Sequence, residues 1–170
     1  MSKRRVVITG MGVVSPLGET VDGMWDNLCA GKSGIKTVTR WDFSKFPVRF
    51  GGECTGFDVT KYQDLCSKFS EERLLPKRLD RFGQFGVAAA LSAVDDSKID
   101  FTKEDPFRCG VLIGSGIGGI ETLEEQNKIL VAKGVQRLPE ATGNACRPQE
   151  CAFSVRLKTG DLEVRPLHRD

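Results

Sequence analysis

The sequence predicts an α/β domain with a largely parallel sheet. Two short β-branched runs each stop at a glycine-rich turn, three stretches of helical period are threaded between and after them, and the two patterns alternate down to Gly134. Each element follows from local chemistry. Arg5 to Thr9 (R-V-V-I-T) reads as a buried strand meeting the tight turn Gly10-Met11-Gly12. Thr20 caps a first helix whose Val21, Met24, Trp25 and Leu28 fall at i, i+3, i+4 and i+7, and Gly31 is the residue that closes it. From Lys32 to about Leu75 the signals are mixed, with short extended pieces such as Val48 to Glu53, and predict a surface excursion.

Pro76 suits the first turn of a second helix running to about Val94. Leu79, Phe82, Gly86, Ala89, Ala90 and Ala93 lie on one face of it, and its small residues would let another backbone approach closely. Cys109 to Ile113 (C-G-V-L-I) reads as a second buried strand that runs into G-S-G-I-G-G at Gly114 to Gly119. A third helix, about Ile120 to Lys133, stops at Gly134. From Leu138 onward the reading finds no sustained period of either kind, and Pro148 and Pro166 break the segment further.

Composition narrows the function classes. The chain has 170 residues, 39% hydrophobic and 28% charged, ordinary values for one globular domain. A net charge of +2 with no basic stripe gives no footprint for nucleic acid. No apolar run approaches the roughly 20 residues that span a bilayer, and the short run after the basic start is no signal peptide, so the expected place is the cytoplasm. Cys29, Cys54, Cys66, Cys109, Cys146 and Cys151 form no CxxC pair, and with a single histidine no metal site is expected. They are expected to be reduced thiols, most of them small core residues.

Gly114, Gly116 and Gly119 satisfy G-x-G-x-x-G between a predicted strand and a predicted helix, the pattern of a dinucleotide site, with Glu140 its best candidate for the ribose. Glu121, Glu124 and Glu125 suit the positive end of the following helix but would repel a pyrophosphate placed there. A nucleotide- or partner-binding α/β module built on the Gly114 to Gly119 loop is therefore the alternative functional reading.

Four motifs in order carry a more specific likeness: R-R-V-V-I-T-G-M-G-V-V-S-P-L-G from Arg4, W-D-N-L-C-A-G-K-S-G-I from Trp25, R-L-D-R-F-G-Q-F-G from Arg78, and Gly110 to Glu125 with its G-S-G-I-G-G. Together they resemble the β-ketoacyl-[acyl-carrier-protein] synthases of the KAS II type. The resemblance implies a partial thiolase fold, the first part of the N-terminal half of a five-layered α-β-α-β-α enzyme. It implies an incomplete ketoacyl-synthase N-terminal region over 1–137 and a divergent tail over 138–170. The tail is expected to be a frameshift product, with a native short paralogue as the other possibility.

The activity implied is 3-oxoacyl-[acyl-carrier-protein] synthesis in fatty-acid elongation, an acyltransferase reaction. An acyl chain passes from acyl carrier protein to a cysteine thiolate, and malonyl-ACP is decarboxylated so that its carbanion attacks the thioester. That chemistry needs a thiolate, two imidazoles and an oxyanion hole, and neither metal nor organic cofactor. This chain has only His168, to which no role is assigned, and Cys146 (N-A-C-R) and Cys151 (Q-E-C-A) lack the family's Thr-Ala-Cys context. The family spacing carries that nucleophile to the neighbourhood of Asp170 or beyond it. No catalytic residue is therefore expected within these 170 residues. Two assignments do carry over. Ile117 matches an isoleucine that lines the acyl pocket, with plain core packing as its alternative. Lys77, Arg78 and Arg81 fall where the family presents cations to the acidic carrier protein, with a solvated helix face as theirs. The partners implied are acyl-ACP, malonyl-ACP and a second copy of the full-length enzyme.

Overall fold

Thr20 opens the first regular element. Its extended backbone (φ −130°, ψ 152°) turns its hydroxyl onto the Gly23 N–H at 3.2 Å, and helix α1 follows over Val21–Cys29. Gly31 ends it in the left-handed region (φ 66°), where a side chain would be strained. Both ends agree with the sequence reading because both are set by local chemistry. The computed structural model describes residues 5–69, 74, 79–134, 153–158 and 161–166. They divide between two units, Met1–Leu65 with Val87–Ile99, and Cys66–Gly86 with Asp100–Asp170.

In the first unit, Ser15 and Gly18 exchange backbone hydrogen bonds of 2.9 and 3.1 Å around Pro16-Leu17, a turn that proline's fixed φ favours. Asn27 of α1 anchors this turn by donating its Nδ2 to the Leu17 carbonyl at 2.6 Å. Strand β1 (Ile35–Thr37) pairs antiparallel with β2 (Phe50–Gly52), Lys36 opposite Gly51. Glu53 closes the excursion between them: its carboxylate accepts from the Thr39 N–H and hydroxyl, both at 3.0 Å, and from the Arg40 N–H at 3.1 Å. Those bonds, the Thr39 N–H foremost, hold the Glu53 carboxyl below its ordinary range. The buried apolar residues of this unit are Phe57, Val59, Val87, Ala88 and Leu91.

A short helix α2 spans Gln63–Cys66, and α3 spans Arg81–Ser97. The small-residue face of α3 is used as the sequence anticipates. Gly10 and Gly12 lie against it so closely that a Cβ on Gly12 would strike the Ala89 carbonyl and stand 2.8 Å from the Ala93 nitrogen. The Met11 N–H donates to Asp96 Oδ2 at 2.9 Å and fixes the register of that contact. In the second unit, Asp100 and Asp105 each cap a one-turn 3-10 helix, and α4 follows over Ile120–Lys133. Gly134 (φ 77°) ends α4 with its N–H on the Leu130 carbonyl at 2.9 Å.

Several expectations are corrected. Arg5 to Thr9 and Cys109 to Ile113 join no ladder, and Val6, Ile8 and Leu112 are 93%, 85% and 96% exposed rather than buried. A strand exists only where its N–H and C=O groups meet a neighbour, and among the described residues these two runs have none. The largely parallel sheet is absent with them: the described ladders are both antiparallel pairs. α3 begins at Arg81, not near Pro76, which lies outside the described residues, and runs on to Ser97. The tail has a period after all. β3 (Phe153–Lys158) pairs with β4 (Asp161–Pro166), placing Val155 opposite Val164, Leu157 opposite Leu162 and Arg156 opposite Glu163. The thiols were expected mostly in the core, yet of the four described only Cys66 is buried, while Cys29 is exposed.

Candidate functional site

Helix α4 starts without a capping side chain of its own. Its N-cap is Gly119, which has no side chain with which to cap the first turn. A carboxylate from elsewhere stands there instead. Asp80, the residue before α3, accepts a short hydrogen bond from the Thr122 hydroxyl through Oδ1. Its Oδ2 occupies the place where a Cβ on Gly119 would be, with Cγ only 2.7 Å from that point. A side chain at 119 would displace the Asp80 carboxylate, and at 118 glycine suits the left-handed φ of 79°. Gly114 and Gly116 have nothing within 4 Å of an added Cβ.

The turn carrying Ile117 is held from both sides of that residue. Ser115 Oγ accepts from the Gly118 N–H at 3.1 Å, and the Gly118 carbonyl accepts from the Ile120 N–H at 3.0 Å. Ile117 projects from this turn 72% exposed. At the start of α3, the Arg81 guanidinium lies over the Phe85 ring, 5.1 Å from its centroid. Lys77, Arg78 and Glu140 lie outside the described residues, as do Cys146, Cys151 and His168. The structure thus joins the start of α3 to the Ile117 turn, through a residue that sequence reasoning quoted within L-D-R-F and gave no role. The available signal was Gly119: a helix opening on glycine with no polar side chain beside it asks for a cap from a distant segment.

Electrostatics at this end of α4 are set by carboxylates, with Asp80 against Gly119, Glu121 in the first turn and Glu124 paired to Lys128 at 2.6 Å. A pyrophosphate at the N-terminus would have to displace Asp80 and meet the glutamates. Among the described residues no group of three His, Cys, Asp or Glu lies close enough to hold a metal ion, and no helix is long and apolar enough to cross a membrane.

Solved structures that share this fold are ketosynthases with the thiolase-like architecture. The ishigamide ketosynthase/chain length factor is similar with a TM-score of 0.62 and 28% identity, over 84% of this chain and 34% of that one. A type II PKS acyl-carrier protein in complex with its ketosynthase matches with a TM-score of 0.57 over 83% of this chain, at 22% identity, a likeness of fold. The chain belongs to the β-ketoacyl synthase family: the Beta-ketoacyl synthase, N-terminal domain, matches residues 3–156. It is 42% identical over 138 residues to 3-oxoacyl-[acyl-carrier-protein] synthase 2 of Vibrio harveyi, and 42% identical over 137 residues to that of Synechocystis. Each of these alignments covers 81% of this chain and 31% of the relative, so the chain spans about a third of the length of the curated relatives it matches.

Proposed function

We propose that this chain is the portion of a 3-oxoacyl-[acyl-carrier-protein] synthase that carries the acyl-pocket turn at Ile117 and the carrier-protein cations at Lys77, Arg78 and Arg81. The observation that carries the reading is the 42% identity, over 138 residues, with a 3-oxoacyl-[acyl-carrier-protein] synthase 2. The 170 residues on their own do not condense, because one histidine and no Thr-Ala-Cys leave neither a poised thiolate nor a pair of imidazoles for the enolate. We place the boundary between the family region and the divergent tail near residue 137, and in the full-length enzyme the partner of this region is a second copy.

Carrier protein is strongly acidic, so the cationic side chains of Lys77, Arg78 and Arg81 would attract it. A carrier protein held by its ketosynthase in a structure of this fold supports the same partner here. The nucleotide alternative is weakened by Asp80, which stands where the pyrophosphate would sit.

The test is titration of the chain with acyl-ACP at rising salt, beside Arg78→Glu with Arg81→Glu. Binding should weaken with salt and fall on charge reversal, since rim charges chiefly set association and its salt dependence. Affinity for a small acyl-pantetheine should hold. Equal loss of both ligands would make these residues structural and overturn the docking reading.

A further inference from the structure

We propose that Asp80 is a positioning residue for the acyl-pocket turn: by accepting from the Thr122 hydroxyl and seating against Gly119 it holds Gly114 to Gly119, and with it Ile117, against the start of α3. This rests on the reading of Ile117 as a pocket residue and assigns what sets that residue's place. Three independent features meet at Asp80. α4 opens on Gly119 with no side-chain cap of its own. Asp80 Oδ2 fills the space that a Cβ at position 119 would take. The Thr122 hydroxyl, in the first turn of α4, donates to Asp80 Oδ1.

A carboxylate brought to a helix N-terminus is favoured by the helix dipole there. Here the carboxylate belongs to the residue immediately before α3, so the Thr122–Asp80 hydrogen bond ties the α4 terminus to the start of α3. Ile117 is two residues from Gly119 and is tied to it by the Ser115–Gly118 and Gly118–Ile120 hydrogen bonds. The neighbouring Arg81 lies over Phe85. The same short segment therefore carries one of the proposed carrier-protein contacts and the support of the acyl-pocket turn. The glycines divide by role accordingly. Gly119 makes room for Asp80 and Gly118 takes the left-handed backbone, while Gly114 and Gly116 face open space.

The test is amide hydrogen exchange on the full 170-residue chain, comparing Asp80→Ala, Asp80→Asn and Thr122→Val with the unmodified protein. In Asp80→Ala and in Thr122→Val, exchange over residues 115–119 should rise about tenfold while that of α1 changes by less than about twofold, as local opening requires. Asp80→Asn keeps an oxygen for the Thr122 hydroxyl and should restore most of the protection. Should Asp80→Ala fail to fold, Thr122→Val, which removes one hydroxyl, carries the test. Unchanged exchange over 115–119 in Thr122→Val, or a rise shared equally with α1, overturns the assignment. A second readout is binding of acyl-pantetheines of increasing length. Asp80→Ala should lose discrimination among them while keeping its affinity for carrier protein. An unmodified chain with no acyl-pantetheine affinity would defeat the pocket reading of Ile117, and the exchange data would still decide Asp80.

Discussion

Adding one methyl group at Gly12 tests how the first unit is built. A Cβ there would strike the Ala89 carbonyl and stand 2.8 Å from the Ala93 nitrogen and 2.9 Å from Ser92 Cβ. Two of those three atoms are helix backbone, so no rotamer change relieves the contact, and either the segment or α3 must move. Overpacking of this kind costs about 1–3 kcal/mol. With a urea slope of about 2 kcal/mol per molar, Gly12→Ala should lower the unfolding midpoint by roughly 0.5–1.5 M. Gly116→Ala is the control, since nothing lies within 4 Å of its Cβ and its φ is outside the left-handed region. It should be neutral, or stabilising by about 0.4–1 kcal/mol through the unfolded chain. Trp25 and Trp41 are the two tryptophans and both belong to the first unit, so their emission during a urea titration reports on it. Equal midpoints for Gly12→Ala and the unmodified chain would refute the close packing of Gly10 to Gly12 on α3.

Three further outcomes are expected. The Asp100 carboxyl is lowered to about 2 from an ordinary 3.8, first by its hydrogen bond with Lys103 and then by Thr102. Its contribution is therefore complete above pH 3.8 and is lost as pH falls towards about 2, which NMR titration of its carboxyl carbon would show; a midpoint at the ordinary value would contradict it. Hydrophobic dye should bind the chain, because Val6, Ile8, Phe107 and Leu112 are all exposed, and a sharp melt of a dye-free monomer would oppose this. If the segment proposed to diverge after residue 137 is a frameshift product, another frame over the codons for Val135 to Leu138 should encode the family's Ser-Pro-Phe segment, and unrelated sequence in every frame would oppose the frameshift.

How much was legible depended on where each element draws its stabilisation. Thr20, Gly31 and Gly134 act within one helical turn, so both ends of α1 and the end of α4 could be read directly. The glycine and alanine face of α3 announced a close backbone neighbour, and Gly10 to Gly12 supply it. Arg5 to Thr9 and Cys109 to Ile113 have the composition of buried strands, yet pairing is a property of two segments and composition belongs to one. The alternation F-S-V-R-L-K and L-E-V-R-P is present in the sequence, but each run is short, and only the pairing of Val155 with Val164 makes it a ladder. Asp80 was hidden for another reason. Its partners Gly119 and Thr122 are distant in sequence, and only the uncapped start of α4 hinted that a carboxylate must come from elsewhere.

The most direct test of the account is a condensation assay on the purified 170-residue chain with acyl-ACP and malonyl-ACP, run beside a titration of its affinity for acyl-ACP. The expected result is salt-sensitive binding and no ketoacyl-ACP product, because the proposed docking cations Lys77, Arg78 and Arg81 are in the sequence while a second histidine and a Thr-Ala-Cys are not. Formation of ketoacyl-ACP by this chain alone would contradict it.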